Sequence, residues 1–384
     1  MDTQALSPET IQDIVHENSP ASSIRSIPPA AIDETFNLAS ASLSSTIVST
    51  SDEFFAPASS LLSPLAPIQK SNTYVPTGAW YDGWETRRHN PDPPDWVIVQ
   101  LGVGAGHVVG FEVDTAFFAG NHAEKVAVQG ARAALGAAPG QLHWEPILPP
   151  QPCGPSARHA WLLAQPTGTA YTHLRLQMFP DGGIARFRAY GRASPIFPAD
   201  SSTAIDLAAA RNGARAVAWS NQRFGRASNL LLPGRGHDMG DGWETSRSRG
   251  AGHEDWVIVK LGAPAAGISS VVVDTAFFRG NFPQSVRVEA LDFRKSPSFS
   301  SFLDQPRRQE EEEHVPAADD PRWHVLVPSA PCGADREHLF DFTTAPSSAE
   351  PEKRVASQVT THVKLVMVPD GGVKRLRVFG RRNT

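Results

Sequence analysis

Apolar residues recur at every second position along much of this chain. In Thr172-His173-Leu174-Arg175-Leu176-Gln177-Met178 they stand at 174, 176 and 178, and Val363, Leu365 and Met367 repeat the pattern further on. A period of two sends alternate side chains to opposite faces, so each stretch predicts a strand with one face in the core. Pro180-Asp181-Gly182-Gly183 follows the first and Pro369-Asp370-Gly371-Gly372 the second, which supplies the positive-φ positions of a tight reversal. Beyond the turn, Arg186 and Arg188 alternate with Phe187 and Ala189, and Arg375 and Arg377 with Leu376 and Val378. The arginine face is expected to be a solvated outer sheet face, with an anion-binding face as the alternative. Val97-Ile98-Val99 and Val257-Ile258-Val259 predict short strands stopping at Leu-Gly, and Val126/Val128 and Val286/Val288 predict another pair. Short strands, frequent turn signals and little helical periodicity predict an all-β protein. Its architecture is expected to be two antiparallel jelly-roll β-sandwiches with short helices only at the edges.

The chain is written twice. Asp82-Gly83-Trp84-Glu85-Thr86 returns as Asp241-Gly242-Trp243-Glu244-Thr245, and Asp95-Trp96-Val97-Ile98-Val99 returns as Asp255-Trp256-Val257-Ile258-Val259. Val113-Asp114-Thr115-Ala116-Phe117-Phe118 with Gly120-Asn121 returns as Val273-Asp274-Thr275-Ala276-Phe277-Phe278 with Gly280-Asn281. Pro152-Cys153-Gly154 and His159 match Pro331-Cys332-Gly333 and His338. A fainter match joins Asn37-Leu38-Ala39 to Asp206-Leu207-Ala208, and Phe54 to Phe224. The expected organisation is a mobile leader over 1–30, a first repeat over 31–192, a linker over 193–203 and a second repeat over 204–384. The widening offset locates two insertions in the second repeat. One is an acidic loop near 304–320, read as disordered because its charges repel and bury nothing; the other covers Ala345–Ser357.

Lys plus Arg number 35 and Asp plus Glu 40, a net charge of −5 that gives no global reason to bind nucleic acid or an anionic membrane. No apolar run approaches the roughly 18 residues that cross a bilayer. The start lacks a basic region followed by an apolar stretch, and Arg381-Arg382-Asn383-Thr384 is not a peroxisomal tripeptide. A soluble cytoplasmic protein is expected. Two cysteines are too few for a disulfide scaffold or a four-thiolate zinc site, while 9 Trp and 19 Phe supply a sizeable core.

The Asp82-Gly83-Trp84-Glu85-Thr86 loop sets two carboxylates three residues apart, ahead of Arg88, and the second repeat places Arg247 likewise. Such a pair divides acid and base roles when one member is desolvated, and arginine offers a planar fork for a carboxylate. The competing reading has Asp82 capping the turn at Gly83, Trp84 in the core and Glu85 paired with Arg88. A pattern held in both repeats favours that fold-maintaining role. The repeats differ where Arg87-Arg88-His89 faces Ser246-Arg247-Ser248, and where His122 faces Phe282. Specialisation of one repeat and drift explain this equally. Asp114 ends a strand, either bonding neighbouring backbone or facing the loop end where sandwiches bind ligands. Cys153 and His159 form a candidate nucleophilic dyad, set below a buried structural cysteine. His173 and His362 are read as structural.

The order of motifs is similar to that of the galactose-binding-like sandwiches. More specifically, four features together resemble the allantoicase family: Ser51-Asp52-Glu53-Phe54-Phe55-Ala56-Pro57, the Asp-Gly-Trp-Glu-Thr-Arg-Arg loop, Val-Asp-Thr-Ala-Phe-Phe-x-Gly-Asn, and the doubled Pro-Asp-Gly-Gly hairpin. One departure is His89-Asn90-Pro91-Asp92-Pro93-Pro94 before Asp95-Trp96, where a more basic segment ending in His-Asp-Trp is expected. The resemblance implies hydrolysis of allantoate to ureidoglycolate and urea in purine breakdown, by a homo-oligomer. Breaking the bond from the central carbon to a ureido nitrogen asks for an acid, a base and a cation on the substrate carboxylate. The candidates are Arg87 or Arg88 on the carboxylate, and Asp82, Glu85, His122 and Asp114 for proton transfer, with Asn121 and Arg247 as further substrate contacts. A divalent metal in place of one of these stays open. The rival reading is a ligand-binding tandem module without chemistry, because fold alone does not decide function.

Overall fold

The computed structural model describes residues 11–13, 35–134, 137–295, 315–343, 352 and 355–383. The leader apart from Ile11–Asp13, most of the acidic loop and most of the insertion over 345–357 lie outside the described residues. The chain divides into two compact units, Met1–Ile196 and Phe197–Thr384.

Unit one is a sandwich of two five-stranded antiparallel sheets. One runs Ile11–Asp13, Arg158–Leu163, Gly106–Asp114, Arg186–Ala193, Phe36–Asn37; the other runs Glu145–Pro152, Lys125–Ala131, His173–Phe179, Asp95–Gln100, Thr46–Thr50. The alternation places the core as expected. Leu174, Leu176 and Met178 are sealed against Val97, Val99, Val126 and Val128 in one layer, with Phe111, Val113, Phe187 and Ala189 in the other. Trp84 and Trp243 are fully buried, each donating its indole N–H to a backbone carbonyl, of Asp52 and Asn221 respectively. The helical elements are short turns such as Ala58–Leu62 and Ala227–Leu231.

Unit two repeats this plan with one difference from expectation. The twin of the short Asp95–Gln100 strand does not stop at Leu-Gly but continues as Asp255–Asp274, 20 residues long. Its first part pairs with Thr360–Val368 and its last part with Arg375–Arg382, so one strand passes through both layers. In unit one the strand ends at Gln100 and a turn closed by the Gly104 amide on the Leu101 carbonyl, with Gly104 at φ +85, leads into the next strand; Ala263-Pro264-Ala265 has no such residue.

Two further expectations change. The arginine face of the last strand is covered, not solvated. Arg186 and Arg375 are each 2% exposed, because the chain at Leu65 and Ala66, and its counterpart at Asn229 and Gly234, folds over the sheet and turns carbonyls onto the guanidinium. Similarly, Lys364 on the outer face of its strand is buried, donating to Ala318 O at 2.7 Å beneath Trp323. The match of Phe54 to Phe224 is out by one residue. Phe55 and Phe224 are the equivalents, each donating its amide N–H to the carbonyl of the glutamate in Trp-Glu, Glu85 and Glu244 respectively.

Candidate active site

The loops of unit one that carry the candidate residues leave the sandwich at one end. Met178 lies opposite Asp95, Phe179 and Pro152 opposite Lys125, and both Arg158 and Arg186 opposite Asp114. The connections over 51–57, 82–94, 115–124, 153–157 and 180–183 therefore share a rim.

Local structure explains how the side chains on it meet. Trp84–Glu85 forms a two-residue ladder with Gly183–Ile184, and Glu85 is held further by Ala56. Phe117 adopts φ +70, an uncommon conformation for a bulky residue, and the chain turns there so that Asn121 comes back to Glu85. Gly182, at φ +144, lets the hairpin turn lie against that loop: a Cβ there would sit 2.7 Å from the His122 carbonyl oxygen. Gly183 packs on the buried face of Phe118, where a Cβ would enter the ring.

Four side chains are linked on this frame. Asn121 Nδ2 donates to Glu85 Oε1 at 2.7 Å. Arg88 donates from Nη1 to Asp181 Oδ1 at 2.7 Å and from Nη2 to the Asn121 carbonyl at 3.0 Å, with Glu85 Oε1 3.7 Å away. The second Asp181 oxygen accepts the His89 amide at 2.8 Å. Burial raises the Glu85 carboxyl above its ordinary value, opposed by the Asn121 hydrogen bond and the Arg88 charge. His122 sits beside this set, bridged to Gly183, with Nδ1 3.1 Å from the Ala119 carbonyl. A ring nitrogen facing a carbonyl must carry the proton, so in the neutral imidazole Nε2 is the free acceptor. Arg87 points elsewhere: its guanidinium lies 3.0 Å from Asp52 and 4.4 Å over the Phe54 ring, and its amide also bonds Asp52.

Asp82 and Asp114 stand on the same rim with other partners. Asp82 accepts the buried Arg186 Nη2 at 2.6 Å and the Ile68 amide, so it does not cap the turn at Gly83. Asp114 accepts the Ala116 amide at 2.8 Å, and burial raises its carboxyl. Among the described residues neither shares a hydrogen-bond partner with Glu85, Arg88 or Asn121. Asp181 and Asp52 were missed as site residues. Both stand in motifs quoted above, Asp181 in the Pro-Asp-Gly-Gly turn and Asp52 in Ser51–Pro57, where the second repeat has Asn221, but neither motif shows which arginine the carboxylate meets.

Unit two keeps the frame and loses the fittings. Asn281 Nδ2 donates to Glu244 Oε1, and Asp370 accepts the Ser248 amide at 2.6 Å, as Asp181 accepts that of His89. Arg247, however, is exposed and has no hydrogen-bond or ion-pair partner among the described residues. Asn221, Ser246 and Phe282 stand where unit one has Asp52, Arg87 and His122. The segment that departs from the family pattern also finds a role: Asn90 Nδ2 bonds both oxygens of the buried Asp95, and in unit two His253 Nε2 lies 3.3 Å from Asp255 instead.

Burial pushes the Cys153 thiol up to about 12 and that of Cys332 to about 11, while His159 Nε2 accepts the Gly154 amide. That is the structural reading of both. No three His, Cys, Asp or Glu side chains among the described residues converge as a metal-ligand set, and no described helix is long and apolar enough to cross a membrane.

A family model described as the allantoicase repeat matches residues 36–194 and again 205–383. An allantoicase of Neurospora crassa is 48% identical over 361 residues, 91% of this chain and 94% of its own length. That of Saccharomyces cerevisiae is 44% identical over 340 residues, 87% and 90% of the two chains. The crystal structure of the Saccharomyces cerevisiae allantoicase superposes with a TM-score of 0.70 at 40% identity, covering 92% of this chain and 96% of that one.

Proposed function

The chain belongs to the allantoicase family, and from that premise we infer that it hydrolyses allantoate to ureidoglycolate and urea in purine degradation. Allantoate is one carbon bearing a carboxylate and two ureido groups. To release whole urea, the bond from that carbon to one ureido nitrogen breaks and its electron pair stays on the departing nitrogen. The other ureido nitrogen pushes its lone pair in, forming a carbon–nitrogen double bond. Water then adds its oxygen to the carbon and returns the pair to nitrogen. No acyl nucleophile is needed.

The residues of unit one match these demands. Glu85, raised by burial, is suited to hold the proton that the departing nitrogen takes. His122, with Nε2 free as acceptor, is suited to take the proton of the attacking water. Arg88, with Arg87 beside it in sequence, supplies the guanidinium for the substrate carboxylate. Asn121 orients Glu85 with its amide and Arg88 with its carbonyl. The observation that carries this assignment is the unbroken chain of contacts Glu85–Asn121–Arg88–Asp181 on one rim. Asp82 and Asp114, each satisfied by other groups, are assigned to the support of the loop.

The same reading takes the enzyme as a cytoplasmic homo-oligomer with neither nucleic-acid nor membrane partner; the net charge of −5 supports the last two points. Incubation with allantoate, with and without a chelator, and assay of urea and ureidoglycolate tests the activity. Release of both in equal amounts is expected. No urea under either condition would return the protein to the binding-module reading.

A further inference from the structure

We propose that Asp181 is a positioning residue that holds Arg88 where it meets the substrate carboxylate, an inference that rests on the site assignment above. Arg88 is 35% exposed on a flexible stem, so something must fix its head group, and long side chains lose rotamer freedom when held. Asp181 is 6% exposed and clamped in the Pro-Asp-Gly-Gly turn between two strands. One oxygen takes Arg88 Nη1 at 2.7 Å and the other takes the His89 amide at 2.8 Å, so the carboxylate fixes both the guanidinium and the backbone just beyond it. His89 adopts φ +58 there, a left-handed turn that this second bond secures. With Nη1 on Asp181 and Nη2 on the Asn121 carbonyl, the guanidinium is held from two sides and keeps its remaining N–H groups for a ligand.

Unit two separates the two functions of this carboxylate. Among the described residues Asp370 keeps the amide bond, to Ser248, but holds no arginine, and Arg247 lies exposed and unpartnered. Tethering the loop is therefore common to both repeats, and holding the arginine belongs to the first.

Steady-state kinetics on the full chain test this with Asp181→Asn, Asp370→Asn, Arg88→Ala and the double variant Arg88→Ala/Asp181→Asn. Loss of a charge-assisted hydrogen bond to a group that positions another is expected to raise KM for allantoate about 10- to 100-fold with kcat changed less than about threefold. D370N, which neutralises the equivalent loop-tethering carboxylate of unit two where no arginine is held among the described residues, is expected to leave both constants unchanged. In the R88A background D181N is expected to add nothing, because it acts through Arg88. Should D181N not fold, Asp181→Glu carries the test: it keeps the charge, shifts it by one methylene, and is expected to raise KM likewise. An unchanged or lowered KM in D181N or D181E, or a full additional loss in the R88A background, overturns the proposal. If R88A itself binds and turns over allantoate as the unmodified enzyme does, it is the site assignment that has failed, and the positioning role with it.

Discussion

Replacing Arg186 by alanine is expected to destabilise unit one by about 3–5 kcal/mol, the range for removing one partner of a buried ion pair. Its guanidinium donates five hydrogen bonds: to the carbonyls of Leu65, Ala66, Asp82 and Ala185 and to the Asp82 carboxylate. At about 1.5–3 kcal/mol for each bond to a charged group the simple total would exceed this, but burying the guanidinium offsets much of it. What the variant leaves behind is a carboxylate only 17% exposed without its cation, and the carbonyls of Leu65, Ala66 and Asp82 without their donor. For a unit of this size about 1 kcal/mol corresponds to roughly 2–4 °C, so the unit-one transition should fall by about 6–20 °C. Differential scanning calorimetry reads it, with Arg375→Ala as the equivalent perturbation of unit two. If stranding Asp82 is the cause, Arg186→Met/Asp82→Asn should recover much of the loss. Because Asp82 leads directly into Gly83-Trp84-Glu85, kcat should fall as well. A shift below about 2 °C in R186A would refute the view of this residue as the clamp of the loop.

Glu85→Gln should lower kcat/KM by about 100-fold or more. Its stability should depend on pH with a definite sign. A raised carboxyl favours the protonated folded form, so the native enzyme should match E85Q below the ordinary glutamate range and lose stability relative to it as pH rises through the raised value; denaturant titrations across pH read this. With its thiol pushed up to about 12, Cys153 should resist iodoacetamide in the folded protein at pH 8, and Cys153→Ala should retain activity; rapid alkylation with loss of turnover would contradict the structural reading. Gly183→Ala should cost about 1–3 kcal/mol, because the added methyl enters the space of a fully buried Phe118, and it should reduce turnover by displacing the loop to Asn121. Thermal melts and urea assays on that variant check both.

The fold was legible in the sequence where the physics was local. Alternation at 174, 176 and 178 placed a core strand, and the repeated Pro-Asp-Gly-Gly placed a reversal with Gly182 and Gly371 at positive φ. What was not legible depended on chain segments arriving from elsewhere. The polar face at Arg186 and Arg375 reads as solvated until the preceding loop is seen lying over it. The continuation of Asp255–Asp274 through both layers depends on the absence of a left-handed residue like Gly104, which no periodicity reveals. At the site, motif order brought Glu85, Arg88, Asn121 and His122 into consideration together. The same motif could not tell Asp82 from Glu85, because a carboxylate on a buried guanidinium and a carboxylate facing a rim look alike in sequence. Asp181 lies 93 residues from the arginine it holds and was hidden by its obvious role in a turn.

In the proposed reaction the guanidinium on the rim of unit one binds the carboxylate of allantoate while urea leaves the carbon that bears it. The decisive measurement is the saturation kinetics of urea release from allantoate by Arg88→Ala. With two charge-assisted bonds to the substrate removed, KM should rise by about 100-fold or more. A variant whose KM and kcat both equal those of the unaltered enzyme would place the carboxylate somewhere else.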